Sequence, residues 1–380
     1  MLRTPAAVSE FAAHINAVGT FAYDTEFIGE ESFYPQICLV QVATSERVAI
    51  IDPLELPDLR PIWEAVVSPS VECIVHAGGQ DIVTAQRLAG RTAQSIVDTQ
   101  IAAGLLDMPW PTSLANAIHA VTNHRITKGH TFTEWDKRPL SPNQLAYAAD
   151  DVRYLPLVWS ILKDRLSQRG RLEWTLRECA ATIVSNDDFD PDGQVRRACR
   201  GLTMRPRTMT ILRELVVTRH QLAKHLDKPP RALIPDAVML DLARSKPTAV
   251  AALAEVRGMP RPLAASHGGD ILAAVKRGVD APTSKDESWN GAKEDASERM
   301  AIDALWSIVT MRCIAEGMAP AMIISRGDLS KWYMRRRRGD TSTLFAPTDW
   351  RAEALGAWLA DFLDGKARFE IGWKGDGPAT

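Results

Sequence analysis

Short apolar runs alternate with amphipathic stretches along the first 180 residues of the chain. Runs rich in Val, Ile, Phe and Tyr predict strands over Thr20–Phe27, Ile37–Val42, Val48–Asp52 and Val71–His76. Apolar residues at helical spacing predict helices over 9–18, 58–67 and 81–88, and a long helix from Ser141 onward. This alternation is typical of an α/β domain with a mixed sheet, which we place at residues 1–185.

The rest of the chain has only the helical pattern. The polar stretch SNDDFDPD, residues 185–192, predicts a linker, and a long amphipathic helix then ends before Pro229 and Pro230. A second stretch with few bulky apolar residues, 281–297, separates a last helical segment. We therefore expect two small all-α domains, at residues 203–280 and 298–380.

The charge of the chain is divided unevenly between these regions. The formal net charge is −2, but residues 1–190 have a balance of −9 and residues 191–280 a balance of +8. Such asymmetry indicates nucleic-acid contact through the middle region, although charge imbalance also arises from solubility alone.

Several protein classes are not supported by the composition. No apolar run reaches the roughly 18 residues that a membrane helix needs, and Glu10 and His14 interrupt any apolar segment of a signal peptide. The five cysteines are scattered, which indicates neither a disulfide framework nor a zinc site. We therefore expect a cytoplasmic protein without a membrane partner or an obligate protein partner.

Asp24 and Glu26 lie two residues apart on a predicted strand, so both side chains leave the same face. Two carboxylates side by side on an otherwise apolar strand repel each other, and a divalent cation such as Mg²⁺ or Mn²⁺ would balance them. A strand end that reaches solvent would explain the same spacing.

Two further acidic positions lie at helices. Asp81 follows an apolar strand and a turn with His76 and Gly78, where Asp also serves as an ordinary helix-start residue. Tyr147 and Asp151 are four residues apart on the helix that begins at Ser141, and therefore share one face. Such a pair suits a hydrolytic site, but also an ordinary half-buried Tyr beside a surface Asp.

The order of these motifs resembles that of the DEDD exonuclease superfamily, in its Tyr-containing branch. The chain is further similar to the bacterial ribonuclease D family in the stretches YDTEF (23–27), PQICLVQVA (35–43), VHAGGQDI (75–82), EWDKRPLSPNQLAYAADDVRYL (134–155) and LDKPPRALIPDAVMLDLARSKP (226–247). The last stretch resembles the HRDC domain of that family, a helical module that binds nucleic acids. The resemblance implies a ribonuclease H-like exonuclease domain with a mixed sheet, followed by two HRDC-like helical domains.

The resemblance also implies a function. We expect a 3′–5′ exoribonuclease that uses two divalent cations, Mg²⁺ or Mn²⁺, and releases 5′-mononucleotides from RNA, with tRNA precursors as the substrate. The implied metal ligands are Asp24, Glu26, Asp81 and Asp151, with Tyr147 as the residue that positions the attacking water. A DNA exonuclease remains the alternative because the metal chemistry does not distinguish the two sugars. A non-catalytic RNA-binding scaffold would be expected to lack at least one of the four carboxylates.

Contacts to the substrate are predicted less directly. Candidates near the exonuclease motifs are Phe27, Gln36, His76, Gly78 and Lys128. Candidates for the RNA backbone, chosen from the basic helical segments, are Arg213, Arg219, Lys224, Arg335 and Arg336. Trp332 and Tyr333 lie beside the arginine run and would add base stacking, although a solvated charged segment explains this run equally well.

Overall fold

The structure is a computed structural model that describes residues 1–29, 31–126, 134–183, 189–200, 202, 204–283, 294–370, 372–374 and 377–379. Lys128, the first half of the predicted linker 185–192 and most of the predicted linker 281–297 therefore lie outside the described residues.

Five strands form a mixed sheet. They are β1 (Thr20–Ile28), β2 (Gln36–Ala43), β3 (Val48–Ile51), β4 (Glu72–Val75) and β5 (Ile96–Asp98). Their order in the sheet is β3-β2-β1-β4-β5, so β1 is the central strand. β1 pairs with β4 and β4 with β5 in parallel, whereas β2 and β3 are antiparallel. The predicted mixed sheet is confirmed, but β5 was not predicted, because three residues are too short to show a periodic pattern.

Helices precede, separate and follow these strands. They are α1 (Pro5–Val18), α2 (Arg60–Val66), α3 (Gly79–Ala89), α4 (Thr99–Gly104), α5 (Leu114–Thr122), α6 (Pro142–Arg153), α7 (Leu155–Gln168) and α8 (Leu172–Thr182). The single long helix predicted from Ser141 is two helices. Pro156 lies in the first turn of α7, where it lacks the backbone N–H that a continuous helix would need.

The middle of the chain is all-helical, as predicted. Its helices are α9 (Pro191–Ala198), α10 (Pro206–Leu226), α11 (Pro230–Leu233), α12 (Asp236–Ser245), α13 (Val250–Glu255) and α14 (Arg261–Asp280). They enclose their own apolar core, to which α10 contributes Ile211, Leu212 and Leu215 and α14 contributes Ile271 and Val275.

The last segment contains α15 (Ala296–Ala315), α16 (Pro320–Ile323), α17 (Arg326–Arg337), a π-helical turn (Ala352–Gly356), α18 (Ala357–Leu363), β6 (Gly372–Lys374) and β7 (Gly377–Ala379). The pair β6–β7 was not predicted. Within the described residues, no helix combines the length and apolarity that a membrane span requires.

The chain divides into two compact units. Unit 1 comprises residues 1–26, 38–186 and 294–380, and unit 2 comprises residues 27–37 and 187–293. The sequence predicts a separate third domain at 298–380, whereas the structure includes this segment in unit 1. The amphipathic pattern of the segment shows that it needs an apolar partner but does not identify the partner.

One continuous core explains why the last segment belongs to unit 1. Leu305 and Val309 of α15 and Trp332 of α17 are buried in the same apolar cluster as Ile74 of β4 and Trp159 of α7. Polar contacts strengthen this packing. The buried guanidinium of Arg171 donates to the carbonyl oxygens of three residues, namely Leu105 and Gly317 at 2.9 Å each, and Glu316.

Candidate active site

The central strand β1 carries the first two candidate residues. Its side chains alternate, with Tyr23 and Thr25 buried and Asp24 and Glu26 less so. Asp24 and Glu26 therefore project from the same face of the central strand, as their spacing predicts.

Helix α6 brings the next two residues to this point. Its start is fixed by a capping box, in which the Ser141 hydroxyl accepts from Gln144 N at 3.2 Å and the Gln144 side chain accepts from Ser141 N at 2.8 Å. One turn apart on this helix, the Tyr147 hydroxyl donates a hydrogen bond to the Asp151 carboxylate. Asp150 is directed elsewhere and pairs with Arg153 at 3.3 Å.

The strand and the helix together form a cluster of three carboxylates. Asp24, Glu26 and Asp151 each offer an oxygen, and the three oxygens lie within 4.8 Å of one another. Burial, reinforced by the charges of Asp151 and Asp81, raises the pKa of Glu26 to about 8. Burial also raises the pKa of Asp151 to about 7, against the hydrogen bond from Tyr147, which lowers it. Burial and the charges of Asp81, Asp151 and Glu26 hold the pKa of Asp24 well above its usual range. The cluster therefore carries more negative charge than its surroundings balance.

Asp81 lies in the first turn of α3 and is buried. Its carboxylate accepts a hydrogen bond from the Thr25 hydroxyl, next to Asp24 on β1. Burial raises the pKa of Asp81 to about 6, and the charge of Asp81 in turn raises the pKa of Asp24. Asp81 is thus electrostatically linked to the cluster but is not one of the three residues whose oxygens converge.

A segment before α6 supports Tyr147. The ring of Trp135 is stacked on the ring of Tyr147, with centroids 6.1 Å apart and an interplanar angle of 29°. Arg138 holds this segment by donating to the Trp135 carbonyl at 2.7 Å and to both carboxylate oxygens of Asp52 at 2.5 and 2.8 Å. Sequence reasoning assigned no role to Arg138 or Asp52, although the stretch EWDKRPL was the signal that pointed to this segment.

Two predicted substrate contacts, His76 and Gly78, make contacts within the fold. Both ring nitrogens of His76 are engaged, Nδ1 with the Thr99 hydroxyl at 2.9 Å and Nε2 with the Thr112 carbonyl at 3.1 Å. Gly78 packs so closely on β4 that an added Cβ would lie 2.5 Å from the Cβ of Val75. Internal contacts thus account for both residues, and the substrate role predicted for His76 and Gly78 stays a prediction.

The other predicted contacts near β1 are exposed. Phe27 directly follows Glu26 and is 37 % exposed, and Gln36 begins β2 with its side chain exposed. Their contact with a nucleotide stays a prediction.

The predicted RNA-backbone residues of α10 differ in burial and in their partners. Arg219 is only 3 % exposed and donates to the Ile234 carbonyl and to Asp236, so its predicted phosphate contact is corrected to a role inside the fold. Arg213 is paired with Asp192 at 2.9 Å, and Lys224 is exposed in the last turn of α10.

The basic stretch on α17 also differs from the expectation. Trp332 is 2 % exposed and belongs to the core of unit 1, so it is not free to stack on a base. Arg336 lies over the Trp332 ring and pairs with Asp364 at 2.5 Å, whereas Arg335 is more exposed and lies 3.9 Å from Asp340.

The carboxylate cluster suits a divalent cation. Hard oxygen ligands of this kind are the donors that Mg²⁺ and Mn²⁺ prefer. A cation would offset the cost of burying these carboxylates and the repulsion that acts on Asp24 and Glu26. The residues present therefore fit a divalent metal ion.

Comparison with known proteins supports this interpretation. Residues 1–167 match the 3′–5′ exonuclease family, and residues 209–275 match the HRDC domain. Ribonuclease D of Gluconacetobacter diazotrophicus is 32 % identical over 312 residues, which cover 81 % of this chain and 79 % of that protein. Ribonuclease D of Granulibacter bethesdensis is 32 % identical over 345 residues, covering 88 % and 84 %.

A solved structure agrees with the fold. The crystal structure of Escherichia coli RNase D matches with a TM-score of 0.76 and 24 % identity, covering 97 % of this chain and 99 % of that one. The sequence identity to the two ribonucleases D, which extends over most of this chain and of each relative, establishes the family relationship. The chain therefore belongs to the ribonuclease D family of 3′–5′ exoribonucleases.

Proposed function

We propose that this protein removes nucleotides one at a time from the 3′ end of RNA and releases 5′-mononucleotides, with two divalent cations bound at the carboxylate cluster. The observation that carries this proposal is the convergence of Asp24, Glu26 and Asp151 within 4.8 Å, beside the hydroxyl of Tyr147. Two elements that are far apart in the sequence build this arrangement, so the DEDD-type order of motifs corresponds to one place in the fold.

The carboxylates divide into two groups in this proposal. Asp24, Glu26 and Asp151 would hold one cation, and Asp24 would also contribute to the second. Asp81, held by the hydroxyl of Thr25, supports the second cation from the start of α3. When bound, the two cations activate a water molecule and stabilise the charge that develops on the leaving oxygen.

Tyr147 positions the attacking water in this proposal. Burial and the charge of Asp151 raise the pKa of the phenol above its usual value, so Tyr147 remains protonated at neutral pH and donates its one proton to Asp151. The stacked Trp135 ring and the hydrogen bond to Asp151 fix the direction of the hydroxyl. The lone pairs of the hydroxyl oxygen remain available to accept a hydrogen bond from the attacking water, which orients the water without removing its proton.

We further propose tRNA precursors as the substrate, by the family resemblance. The E. coli protein of similar fold is an exoribonuclease involved in structured RNA processing, which supports a structured RNA as the substrate. The five cysteines are all free and buried, as is usual in the reducing cytoplasm, and we place the activity there.

The test is release of mononucleotides from an RNA labelled at its 3′ end, in Mg²⁺ or Mn²⁺, with a DNA of the same sequence in a parallel reaction. Asp24→Asn should abolish release, whereas the matched control Asp150→Asn should retain it, because Asp150 pairs with Arg153 outside the cluster. Faster hydrolysis of the DNA would contradict the RNA assignment. RNA binding without any metal-dependent hydrolysis would indicate a scaffold and overturn the proposal.

A further inference from the structure

Unit 2 contains a pocket that none of the exonuclease motifs explains. Its volume is about 430 Å³, within the range of about 300–1,000 Å³ that small-molecule sites occupy. Phe189 and α9 form one side, α10 forms the floor, and the segment Pro229–Arg231 at the start of α11 forms the other side.

Positive charge dominates this pocket. Three of its lining residues are arginines, Arg197, Arg219 and Arg231, and no carboxylate is among the described residues that line it. Arg219 donates to one oxygen of Asp236 at 2.6 Å, and Arg231 lies 3.1 Å from the other oxygen. One carboxylate therefore serves two guanidinium groups, which leaves an excess of positive charge at the rim.

Arg197 adds to this excess. Its acidic neighbours in the sequence are paired elsewhere, Asp190 with Arg196 at 3.3 Å and Asp192 with Arg213 at 2.9 Å. Arg197 is exposed on α9 and has no carboxylate partner within the part of the chain that the structure describes. Arg197 lines the pocket, so its guanidinium adds positive charge to the rim.

The wall of the pocket is aromatic and mainly apolar, in contrast to its cationic rim. The ring of His220 is stacked on Phe189 with centroids 3.8 Å apart, and Phe33 contacts His220 edge-on at 5.1 Å. Burial and the nearby Lys224 lower the pKa of His220, so this ring is neutral at pH 7. Together with Pro229 and Pro230, the rings form a rigid, mainly apolar surface beside the cationic rim.

We propose that this pocket binds one nucleotide of a single-stranded RNA, with the phosphodiester at Arg197 and Arg231 and the ribose and base against the aromatic and proline wall. Guanidinium groups suit phosphate oxygens because they donate paired hydrogen bonds in a plane. The buried Arg219 acts as a positioning residue, since its bond to Asp236 fixes the carboxylate that orients Arg231. This inference rests on the proposed function for the identity of the polymer.

The test measures binding of a fluorescent single-stranded oligouridylate by anisotropy, with the full chain in EDTA so that no hydrolysis occurs. Arg197→Ala and Arg231→Ala should each weaken binding about fivefold to tenfold and reduce the slope of log affinity against log salt by about 0.7. Arg197→Lys should restore part of the affinity. The matched control is Arg257→Ala, an exposed arginine of the same unit outside the pocket, which should bind as the wild type does.

Competition identifies the ligand. Uridine 5′-monophosphate should displace the RNA at lower concentration than inorganic phosphate does, because the wall contributes contacts that phosphate alone cannot make. Equal competition by inorganic phosphate would overturn the nucleotide assignment. Pocket variants that bind as the Arg257→Ala protein does, with the same salt slope, would overturn the site. Because binding is read in EDTA, a failure of hydrolysis in Mg²⁺ would contradict the proposed function without affecting this result.

Discussion

Replacing Arg138 by Ala should destabilise unit 1 because it removes the countercharge of a buried carboxylate. The side chain of Asp52 is only 3 % exposed, and both of its oxygens accept hydrogen bonds from Arg138. The same guanidinium donates to the carbonyl oxygens of Cys38 at 2.9 Å and of Trp135 at 2.7 Å. Arg138 therefore joins β2, the end of β3 and the segment that leads into α6.

The magnitude follows from the geometry. Removing one partner of a buried ion pair destabilises a protein by about 3–5 kcal/mol, because the other charge stays buried without compensation. By contrast, Arg153 pairs with Asp150 on the surface, where such a pair contributes about 0–1 kcal/mol. Arg153→Ala is therefore the matched control, and its effect should be several-fold smaller.

Urea unfolding at pH 7 measures the free energies, and a double-mutant cycle with Asp52→Asn isolates the pair. The asparagine removes the charge, so Arg138→Ala should have a much smaller effect in the Asp52→Asn protein. Burial alone would raise the pKa of Asp52, but the hydrogen bonds from Arg138 and the backbone lower it below its usual value of 3.8. The stabilisation is therefore present above about pH 4 and is lost as the pH falls through the lowered pKa of the folded protein.

A loss below about 1 kcal/mol for Arg138→Ala, or additive effects in the cycle, would refute this reasoning. The Arg138→Ala variant also tests whether this segment positions Tyr147. Trp135 is stacked on Tyr147, so loosening this segment should lower kcat more than it raises KM. An unchanged kcat in a folded Arg138→Ala protein would show that Tyr147 does not need this support.

Three other outcomes are expected. Arg171→Met leaves three carbonyl oxygens without their donor and should lower the free energy of unfolding in urea by about 2–4 kcal/mol; a loss as small as that of a surface arginine would contradict its role in holding the last segment. The Tm of the metal-free protein should fall as the pH rises from about 5 to about 8. In the folded protein Glu26 keeps its proton up to about pH 8 and Asp151 up to about pH 7, whereas the unfolded chain releases both protons at lower pH. Mg²⁺ should reverse that fall, and a Tm that rises with pH in EDTA would contradict the raised pKa values. Tyr147→Phe should lower kcat about tenfold or more with little change in Mg²⁺ affinity measured by calorimetry, and loss of metal binding would contradict a role limited to positioning water.

Local spacing was enough to predict part of the site. The alternation of a strand places Asp24 and Glu26 on one face, and the helical repeat places Tyr147 beside Asp151. The meeting of these two pairs depends on packing between elements more than a hundred residues apart, which no local pattern contains. The family resemblance supplied that information, and the structure brings the four side chains together.

Burial explains where the sequence was misleading. Arg219 and Trp332 look like nucleic-acid contacts when they are judged by residue type, but one is bound to Asp236 inside unit 2 and the other lies in the core of unit 1. His76 has the chemistry of a site residue, yet Thr99 and Thr112 engage both of its nitrogens. A sequence shows which polar and aromatic side chains are present, but it does not show which of them are already buried or hydrogen-bonded within the fold.

The central claim is that the three converging carboxylates hold the metal ions that support RNA hydrolysis. The most direct measurement compares the rate of mononucleotide release in Mg²⁺ for Asp24→Asn and Asp150→Asn, two changes that each remove one carboxylate charge. The account predicts a loss of about a hundredfold or more for Asp24→Asn and a rate close to wild type for Asp150→Asn. Equal rates for the two variants would contradict it.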